Sequence, residues 1–301
     1  MRHWVNSAAR PPWRAWPSSL ASACLDMAFP PICIGCSAAT TLHGGLCPAC
    51  WPRVAFIDRP YCAILGTPME FDFGDGQVSA AALADPPPFD MARSAVVHHG
   101  LGLKLASRLK YGDRADLARP MAQWMVRASA DLLPFCDLVV PVPLHRMRLL
   151  KRRFNQASEL AVQVSGLSGV PLRQDALVRS KATRSQVGLG RAERAANVAG
   201  AFMVPRRKRA GLKGRAVLLV DDVYTTGATV SAATRALKAA GASRVFVLTF
   251  SRVAAGVPPP HMWQDFSEGP RTDGAGYGLY AAALRFLHKR KGAAGQKGRF
   301  L

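Results

Sequence analysis

Between residues 92 and 255, short apolar runs alternate with segments whose apolar residues recur every three or four positions. A short apolar run bounded by turn signals is typical of a strand buried on both faces, as in parallel sheets. Periodic segments indicate helices that bury one face. The alternation predicts an α/β domain in which helices flank a parallel sheet. The predicted strands cover residues 96–97, 138–142, 216–220 and 245–250, and the predicted helices cover residues 101–109, 117–133, 155–165 and 230–240.

Polar residues follow the predicted strand at 216–220, before the helix at 230–240. In open α/β sheets, ligands bind beyond the carboxyl ends of the strands. The helix that starts there offers backbone N–H groups to a phosphate, and a glycine lets the backbone approach closely. Ionised carboxylates accept hydrogen bonds from sugar hydroxyls. The pattern predicts a site for a phosphorylated sugar, formed by Asp221, Asp222, Thr225, Thr226, Gly227, Ala228 and Thr229.

Two other interpretations fit parts of this segment. One is an ordinary strand–loop–helix joint with two solvated aspartates. The other is the acidic strand end of a P-loop ATPase, but the chain contains no G-x-x-x-x-G-K-[ST] motif, which argues against it.

Clustered cations follow the predicted strand at 138–142. A basic loop at the carboxyl end of a strand is suited to a pyrophosphate, although a solvated helix start has the same composition. The predicted pyrophosphate loop consists of Pro143, Leu144, His145 and Arg146. Lys110, near the end of a predicted helix, is a second anion-binding candidate, and C-terminal capping explains it equally well. Arg184 lies in a cationic segment without apolar periodicity, which predicts either a lid over the site or a plain exposed loop.

Four cysteines near the N-terminus form two C-x-x-C pairs. Two such pairs are typical of a structural tetrahedral Zn²⁺ site, in which four thiolates complete the coordination. Disulfides are the alternative, but the chain has no apolar segment typical of a secretion signal, which favours reduced thiols. The predicted zinc ligands are Cys33, Cys36, Cys47 and Cys50. Cys62 follows without a partner at Leu65, as a spare ligand or a small buried residue.

The net charge of +21 is concentrated in residues 93–253, which hold 28 basic and 9 acidic side chains. Such a field attracts polyanions, including phosphorylated sugars and nucleic acids, although a solubilising surface has the same charge. The sequence contains no apolar run of about 18 residues, so we expect no transmembrane segment and a cytoplasmic protein.

Motifs over about residues 20–252 resemble, in order, the ComF family of competence-associated, phosphoribosyltransferase-like proteins. Residues 217–229 also resemble the phosphoribosyl pyrophosphate (PRPP) signature of type I phosphoribosyltransferases. Two positions depart from the ComF pattern: Leu65 stands where a further cysteine is common, and Arg153 where a glycine precedes Phe154. The matching motifs are the four-cysteine ribbon, residues 109–111, 140–144 and 154–156, Arg184 with Gln186 and Leu189, Arg194 with Asn197, and residues 220–229.

The resemblance implies a zinc ribbon joined to a type I phosphoribosyltransferase fold. Asp221 and Asp222 then hold the ribose hydroxyls of PRPP, residues 225–229 wrap its 5′-phosphate, and Mg²⁺ accompanies the pyrophosphate. Arg146, Lys110 and Arg184 stabilise the leaving group. It also implies a role in importing single-stranded DNA with a helicase-like partner, so a non-catalytic DNA-handling protein and a PRPP sensor remain alternatives. The predicted organisation is a disordered tail (1–17), an amphipathic helix plus zinc ribbon (18–65), a linker or insertion (66–91), the phosphoribosyltransferase-like domain (92–255) and a partly disordered extension (256–301).

Overall fold

A computed structural model describes residues 30–72, 74–111, 114–144, 154–180 and 200–254 of the 301-residue chain. The chain divides into two units, residues 1–257 and 258–301. The second unit lies outside the described residues. The predicted tail at 1–17, the predicted helix at 18–29 and the extension at 256–301 lie outside them as well.

The first unit is built on a four-stranded parallel sheet with strand order β1-β6-β5-β2. A separate antiparallel pair, β3 with β4, lies between β2 and β5 in the chain. Five helices accompany the strands in the described residues. The strands are β1 (Met91–Val97), β2 (Leu138–Pro141), β3 (Val178–Arg179), β4 (Phe202–Met203), β5 (Ala216–Tyr224) and β6 (Arg244–Arg252), and the helices are α1 (Ala80–Ala84), α2 (Gly100–Tyr111), α3 (Ala118–Ala128), α4 (Gln156–Ser168) and α5 (Ala228–Ala239).

The predicted α/β architecture is confirmed, and β5 differs from its prediction. It continues past Val220 through both aspartates to Tyr224. The reason is that β6 runs alongside it as far as Arg252 and pairs with its last residues. The expectation that the two carboxylates follow the strand is therefore wrong, because both residues lie within the part of β5 that runs beside β6.

The predicted helix at 117–133 is shorter in the structure. Helix α3 ends at Ala128, and the hydroxyl of Ser129 donates to the carbonyl oxygen of Met125 at 2.9 Å. A serine that bonds back to the preceding turn competes with helix propagation. The chain then turns into a short 3₁₀ helix, Leu133–Phe135, that leads to β2.

Both faces of the sheet are covered, as the continuous apolar runs predict. Along β5, Leu218 and Val220 pack with α2, α3 and α4, whereas Val217 and Leu219 pack with α5. The cysteine-rich segment contributes to the first of these cores through Cys33, Ile34 and Val54. The sheet therefore fixes the position of the ribbon as well as that of its own helices.

Residues 54–79 run beside β1. The N–H of Ile57 donates to the carbonyl oxygen of Ala95 at 3.0 Å, and the N–H of Ala92 donates to that of Ile64 at 2.7 Å. The predicted linker at 66–91 is tied to this segment, because the N–H of Ala63 donates to the carbonyl oxygen of Gln77 at 2.7 Å. Ser79 then caps the N-terminus of α1. Among the described helices, none combines the length and apolarity that crossing a membrane requires.

Candidate functional site

The loop between β5 and α5 depends on Gly227. This residue has φ = 78°, a conformation that side chains with a Cβ adopt at a cost. A Cβ added here also overlaps the hydroxyl of Tyr224. The N–H of Ser231 donates to the carbonyl oxygen of Gly227 at 2.8 Å and closes the first turn of α5. Because the first N–H groups of a helix have no intrahelical acceptor, this loop has the geometry that binds phosphates.

The two aspartates at the end of β5 fold back on the backbone. Asp221 Oδ1 accepts the N–H of Asp222 at 2.9 Å, and Asp222 Oδ1 accepts the N–H of Val223 at 2.8 Å. Burial and the charge of Asp222 raise the pKa of Asp221 well above its ordinary value, and Arg179 opposes the shift. The site therefore holds one carboxyl that resists ionisation until a partner stabilises its charge.

Arg179 begins the cationic segment 179–186 that the sequence predicts as a lid or an exposed loop, but the structure places it, buried, in a strand near the candidate site. It ends β3, is 8% exposed, and its guanidinium carbon lies 5.2 Å from the ring centroid of Phe202 on β4. It is the cation that acts on Asp221. The signal was its place at the start of the cationic segment, but no local pattern marks it as buried. The predicted residue Arg184 follows in residues 181–199, outside the described residues.

His98 is a residue at the carboxyl edge of the sheet that the sequence analysis did not single out. Its N–H extends the pairing of β1 by donating to the carbonyl oxygen of Arg252 at 2.7 Å, and its Nδ1 lies 2.8 Å from Ser251 Oγ. Burial lowers the pKa of His98, the charge of Asp222 opposes this shift, and Lys110 adds to it. The structure thus brings Lys110, from the last turn of α2, into the electrostatic range of the β5 carboxyl edge. A polar residue directly after an apolar strand was the available signal.

The start of the predicted pyrophosphate loop lies beside the end of β5. The N–H of Val142 donates to the carbonyl oxygen of Val220 at 2.9 Å, and Pro143 and Leu144 follow with half-buried side chains. Asn155 holds the loop from the other side, donating from Nδ2 to the carbonyl oxygen of Val142 at 3.1 Å. His145 and Arg146 lie outside the described residues.

The four predicted zinc ligands converge. The sulfur atoms of Cys33, Cys36, Cys47 and Cys50 all lie within 4.8 Å of one another, and Cys36 Sγ is 3.6 Å from Cys47 Sγ. Tetrahedral coordination with Zn–S bonds of about 2.3 Å requires sulfur atoms about 3.8 Å apart. Among the described residues, this is the group whose donors fit a metal ion.

The thiols of this group differ in pKa, and therefore in how readily they ionise to bind a metal. Burial opposes ionisation of Cys33, but N–H groups directed at its sulfur, including those of Cys47 and Gly35, outweigh it and lower its pKa to about 6. Burial and the neighbouring thiols raise the pKa of Cys50 to about 12. A bound dication removes this mutual repulsion, since coordinated thiols lose their protons. The four thiols therefore form a structural zinc site.

Comparison with known proteins agrees with both parts of the chain. Residues 24–83 match the double zinc ribbon domain family, and residues 154–274 match the phosphoribosyl transferase domain family. The chain is 28% identical over 230 residues to Competence protein F of Haemophilus influenzae, covering 73% of this chain and 96% of the relative. The chain is thus similar to competence protein F along nearly the whole of that protein. The resemblance to the ComF family is confirmed, with its zinc ribbon and phosphoribosyltransferase-like sheet.

The chain has further relatives. It is 28% identical over 234 residues to the DNA utilization protein YhgH of Escherichia coli O157:H7, covering 75% of this chain and 99% of that protein. Among solved structures, it is similar to the glutamine PRPP amidotransferase from B. subtilis complexed with ADP and GMP, with 20% identity and a TM-score of 0.33 over 47% of this chain and 30% of that chain.

Proposed function

We propose that this protein binds PRPP with Mg²⁺ at the carboxyl edge of its parallel sheet and acts as a phosphoribosyltransferase. One observation carries the proposal: a loop bent at Gly227 joins the two carboxylates at the end of β5 to the first turn of α5. This arrangement provides acceptors for sugar hydroxyls and N–H donors for a phosphate at adjacent points.

Each part of PRPP has a matching group. The 5′-phosphate occupies the loop of Thr225, Thr226, Gly227, Ala228 and Thr229. Asp221 and Asp222 accept hydrogen bonds from the ribose hydroxyls. The pyrophosphate lies towards Pro143, Leu144, His145 and Arg146, and Mg²⁺ bound together with PRPP would neutralise part of its charge. Lys110, in the last turn of α2, is a further cation that we assign to the leaving group.

The reaction that suits this site breaks the bond between the anomeric carbon and the pyrophosphate oxygen. Pyrophosphate leaves with the electron pair, and the lone pair of an acceptor nitrogen forms the new bond before the nitrogen loses a proton. No protein nucleophile is needed. The work of Lys110, Arg146 and Arg184 is to stabilise the charge that grows on the leaving group.

Pyrophosphate release tests the transferase activity. The purified protein is incubated with Mg·PRPP and a panel of nitrogenous bases and amines, and the acceptor-dependent release is compared with that of Lys110→Met. We expect one acceptor class to give turnover in the wild type and a slower rate in Lys110→Met, because a leaving-group cation is lost. If PRPP binds but no acceptor promotes release, the protein is a PRPP sensor rather than a transferase.

A second candidate function is the handling of single-stranded DNA, and one surface favours it. A row of exposed cations lies where β5 and β6 begin, at the opposite edge of the sheet from the PRPP site. Phe135, 56% exposed, lies on the same edge shortly before Asp137, whose carboxylate pairs with one of these cations at 3.7 Å. Cations that follow a backbone and an exposed ring on which a base stacks are the elements of single-strand binding. This basic edge consists of Arg206, Arg207, Arg209, Lys213, Arg215 and Arg244.

The names of the relatives, competence and DNA utilization, support this second candidate. Fluorescence anisotropy with a labelled oligothymidylate tests it. We expect the affinity to fall as the salt concentration rises. The double variant Arg206→Glu with Arg207→Glu should lower the slope of log affinity against log salt concentration by about 1 to 2. Arg127→Glu, an exposed cation on α3, is the matched control. No affinity at low salt would end this candidate. The helicase-like partner and the cytoplasmic location stay predictions.

A further inference from the structure

Arg252, the last residue of β6, is a buried cation that neither the zinc site nor the PRPP contacts use. Its side chain is 1% exposed and is the largest among the fully buried side chains of the described residues. Burying a guanidinium is costly unless other groups hold its charge and its N–H donors. Its contacts on either side therefore indicate what this cation does in the fold.

On one side, Arg252 holds a turn of the cysteine-rich segment. Its Nη1 donates to the carbonyl oxygen of Leu65 at 2.5 Å, within the turn that begins at Cys62. Cys62 is completely buried, and its sulfur accepts the N–H groups of Leu65 at 3.4 Å and Ser79 at 3.2 Å. The N–H of Gly66 donates to the carbonyl oxygen of Cys62 at 2.7 Å and closes the turn.

This turn resembles the one that the zinc site uses. There, Cys33 Sγ accepts the N–H groups of Gly35 and Cys47, and the N–H of Ser37 donates to the carbonyl oxygen of Cys33 at 2.9 Å. The double zinc ribbon match spans both turns. Between residues 51 and 97, however, Cys62 is the only cysteine and there is no histidine, so the second turn lacks the ligands of a metal site.

On the other side, Arg252 contacts Tyr224, the residue that precedes the loop at residues 225–229, which is the proposed phosphate loop. Its guanidinium carbon lies 4.1 Å from the ring centroid of Tyr224, the last residue of β5, which immediately precedes Thr225. The Tyr224 hydroxyl lies against Gly227, where a Cβ overlaps it. The N–H of Val253 donates to the carbonyl oxygen of Tyr224 at 2.8 Å. The guanidinium of Arg252 thus contacts both the Cys62 turn and Tyr224, whose hydroxyl lies against Gly227 in the loop.

We propose that Arg252 is a positioning residue that holds the Cys62 turn in place of a second metal ion and fixes Tyr224 beneath the phosphate loop. The part that concerns ligand affinity rests on the proposed function. In this arrangement the second half of the ribbon supports the sugar-phosphate site, and a hydrogen bond from a guanidinium, rather than a bound metal ion, holds its turn. Leu65 stands where the ComF pattern often has a cysteine, and the β6 residue Arg252 donates a hydrogen bond to its carbonyl oxygen.

Arg93 provides a matched control. It is also buried, at 5% exposure, and its Nη1 donates to the carbonyl oxygen of Ala63 at 2.9 Å, inside the same turn. Its Nη1 also donates to the carbonyl oxygen of Ala92 at 2.8 Å, its Nη2 lies 2.7 Å from Asp131, and its guanidinium carbon lies 4.6 Å from the ring centroid of Tyr61. Arg93→Met therefore loosens the ribbon turn by a similar loss, but its contacts are with Asp131 and Tyr61 rather than with Tyr224.

The experiment compares wild type, Arg252→Met, Arg252→Lys and Arg93→Met. Hydrogen exchange of residues 224–229 is measured without ligand, and the affinities for ribose 5-phosphate and for inorganic pyrophosphate are measured by titration calorimetry. We expect Arg252→Met to accelerate exchange in the loop and to weaken ribose 5-phosphate binding about tenfold, with pyrophosphate binding unchanged. Arg252→Lys keeps the charge but lacks the planar guanidinium, so its exchange rate and its ribose 5-phosphate affinity should lie between those of wild type and Arg252→Met. Arg93→Met resembles wild type in both measurements, and each protein carries one zinc ion.

Two results separate failure of this inference from failure of the proposed function. If the wild type binds no ribose 5-phosphate, the proposed function fails, and hydrogen exchange alone decides the role of Arg252. If Arg252→Met and Arg93→Met change the loop equally, or neither changes it, Arg252 is an ordinary packing residue and the inference is overturned. If Arg252→Met does not fold, Arg252→Lys carries the same comparison. A stoichiometry of two zinc ions would refute the metal-free second turn.

Discussion

Asn155 Nδ2 donates a hydrogen bond to the carbonyl oxygen of Val142, 3.1 Å away, and so joins the start of α4 to the loop that leaves β2. The same side chain caps α4, because its Oδ1 accepts the N–H of Ala157 at 3.2 Å. One residue therefore sets both the helix start and the path of the candidate pyrophosphate loop.

Two substitutions at Asn155 separate these roles. Asn155→Ala removes the cap and the bond to Val142, so we expect a loss of about 1 kcal/mol in the free energy of unfolding and weaker pyrophosphate binding. Asn155→Asp keeps the cap acceptor but cannot donate to Val142, so it should bind pyrophosphate weakly while retaining stability. Chemical denaturation and calorimetric titration with pyrophosphate provide the two readouts. Equal stability losses in both variants would contradict the division of roles.

Asp221 should make the protein less stable at higher pH. Its raised pKa means that the folded chain binds a proton more tightly than the unfolded chain does. Stability is therefore greatest below the ordinary pKa of an aspartate and declines as the pH rises through the folded-state pKa. We expect Asp221→Asn to be more stable than wild type by about 1 kcal/mol at pH 8 and by less at pH 5.

Asp116 is the control for that measurement because its shift has the opposite sign. The hydrogen bond from Arg114 lowers the pKa of Asp116, so Asp116→Asn should slightly destabilise the protein at neutral pH, an effect that fades in acid. Denaturant titrations between pH 5 and pH 8 measure both variants. If the free energy of unfolding changes with pH equally in Asp221→Asn and in wild type, the Asp221 carboxyl is not the cause of the pH dependence.

Gly227 should tolerate no side chain. Gly227→Ala adds backbone strain at φ = 78° and an overlap with Tyr224, so we expect a loss of about 2 to 3 kcal/mol and no detectable ribose 5-phosphate binding. Gly169→Ala is matched in backbone conformation, with φ = 76°, but its Cβ meets open space, so it should cost about 1 kcal/mol and leave binding intact. Melting curves and calorimetric titration compare the two variants.

The zinc site should be structural. Cys50→Ser removes a buried ligand, so we expect the purified protein to lose its single zinc ion and its thermal stability together. Cys136→Ser changes a thiol outside the ribbon and should retain the metal. Elemental analysis gives the stoichiometry, and melting curves with and without a chelator give the stability. Full zinc retention in Cys50→Ser would mean that another residue completes the coordination.

The fold could be predicted from the sequence because it is encoded locally. Apolar runs and periodic segments specified a parallel sheet with helices on both faces, and paired C-x-x-C motifs specified the ribbon. The extent of β5 could not be predicted in this way. Its last residues are strand because β6 lies beside them, and that pairing joins residues whose own composition is typical of a loop.

The part of the candidate site that the sequence predicts, residues 221–229, lies in one segment of the chain. Residues contributed by other elements were missed. His98 follows β1 at the carboxyl edge of the sheet, and Arg179 belongs to the β3–β4 pair, so only tertiary structure relates their charges to those of Asp222 and Asp221. Arg252 shows the limit most clearly, since a basic residue at the end of a strand is usually solvated, and only tertiary packing buries this one.

Calorimetric titration of Mg·PRPP into the wild-type protein and into the double variant Asp221→Ala with Asp222→Ala tests the PRPP assignment most directly. Both proteins must first show the same zinc content and a cooperative melt. Saturable binding by wild type that is lost in the double variant is the result we predict, because the carboxylates accept the hydrogen bonds of the ribose. Binding of equal strength in both proteins, or no binding to the folded wild type, would contradict it.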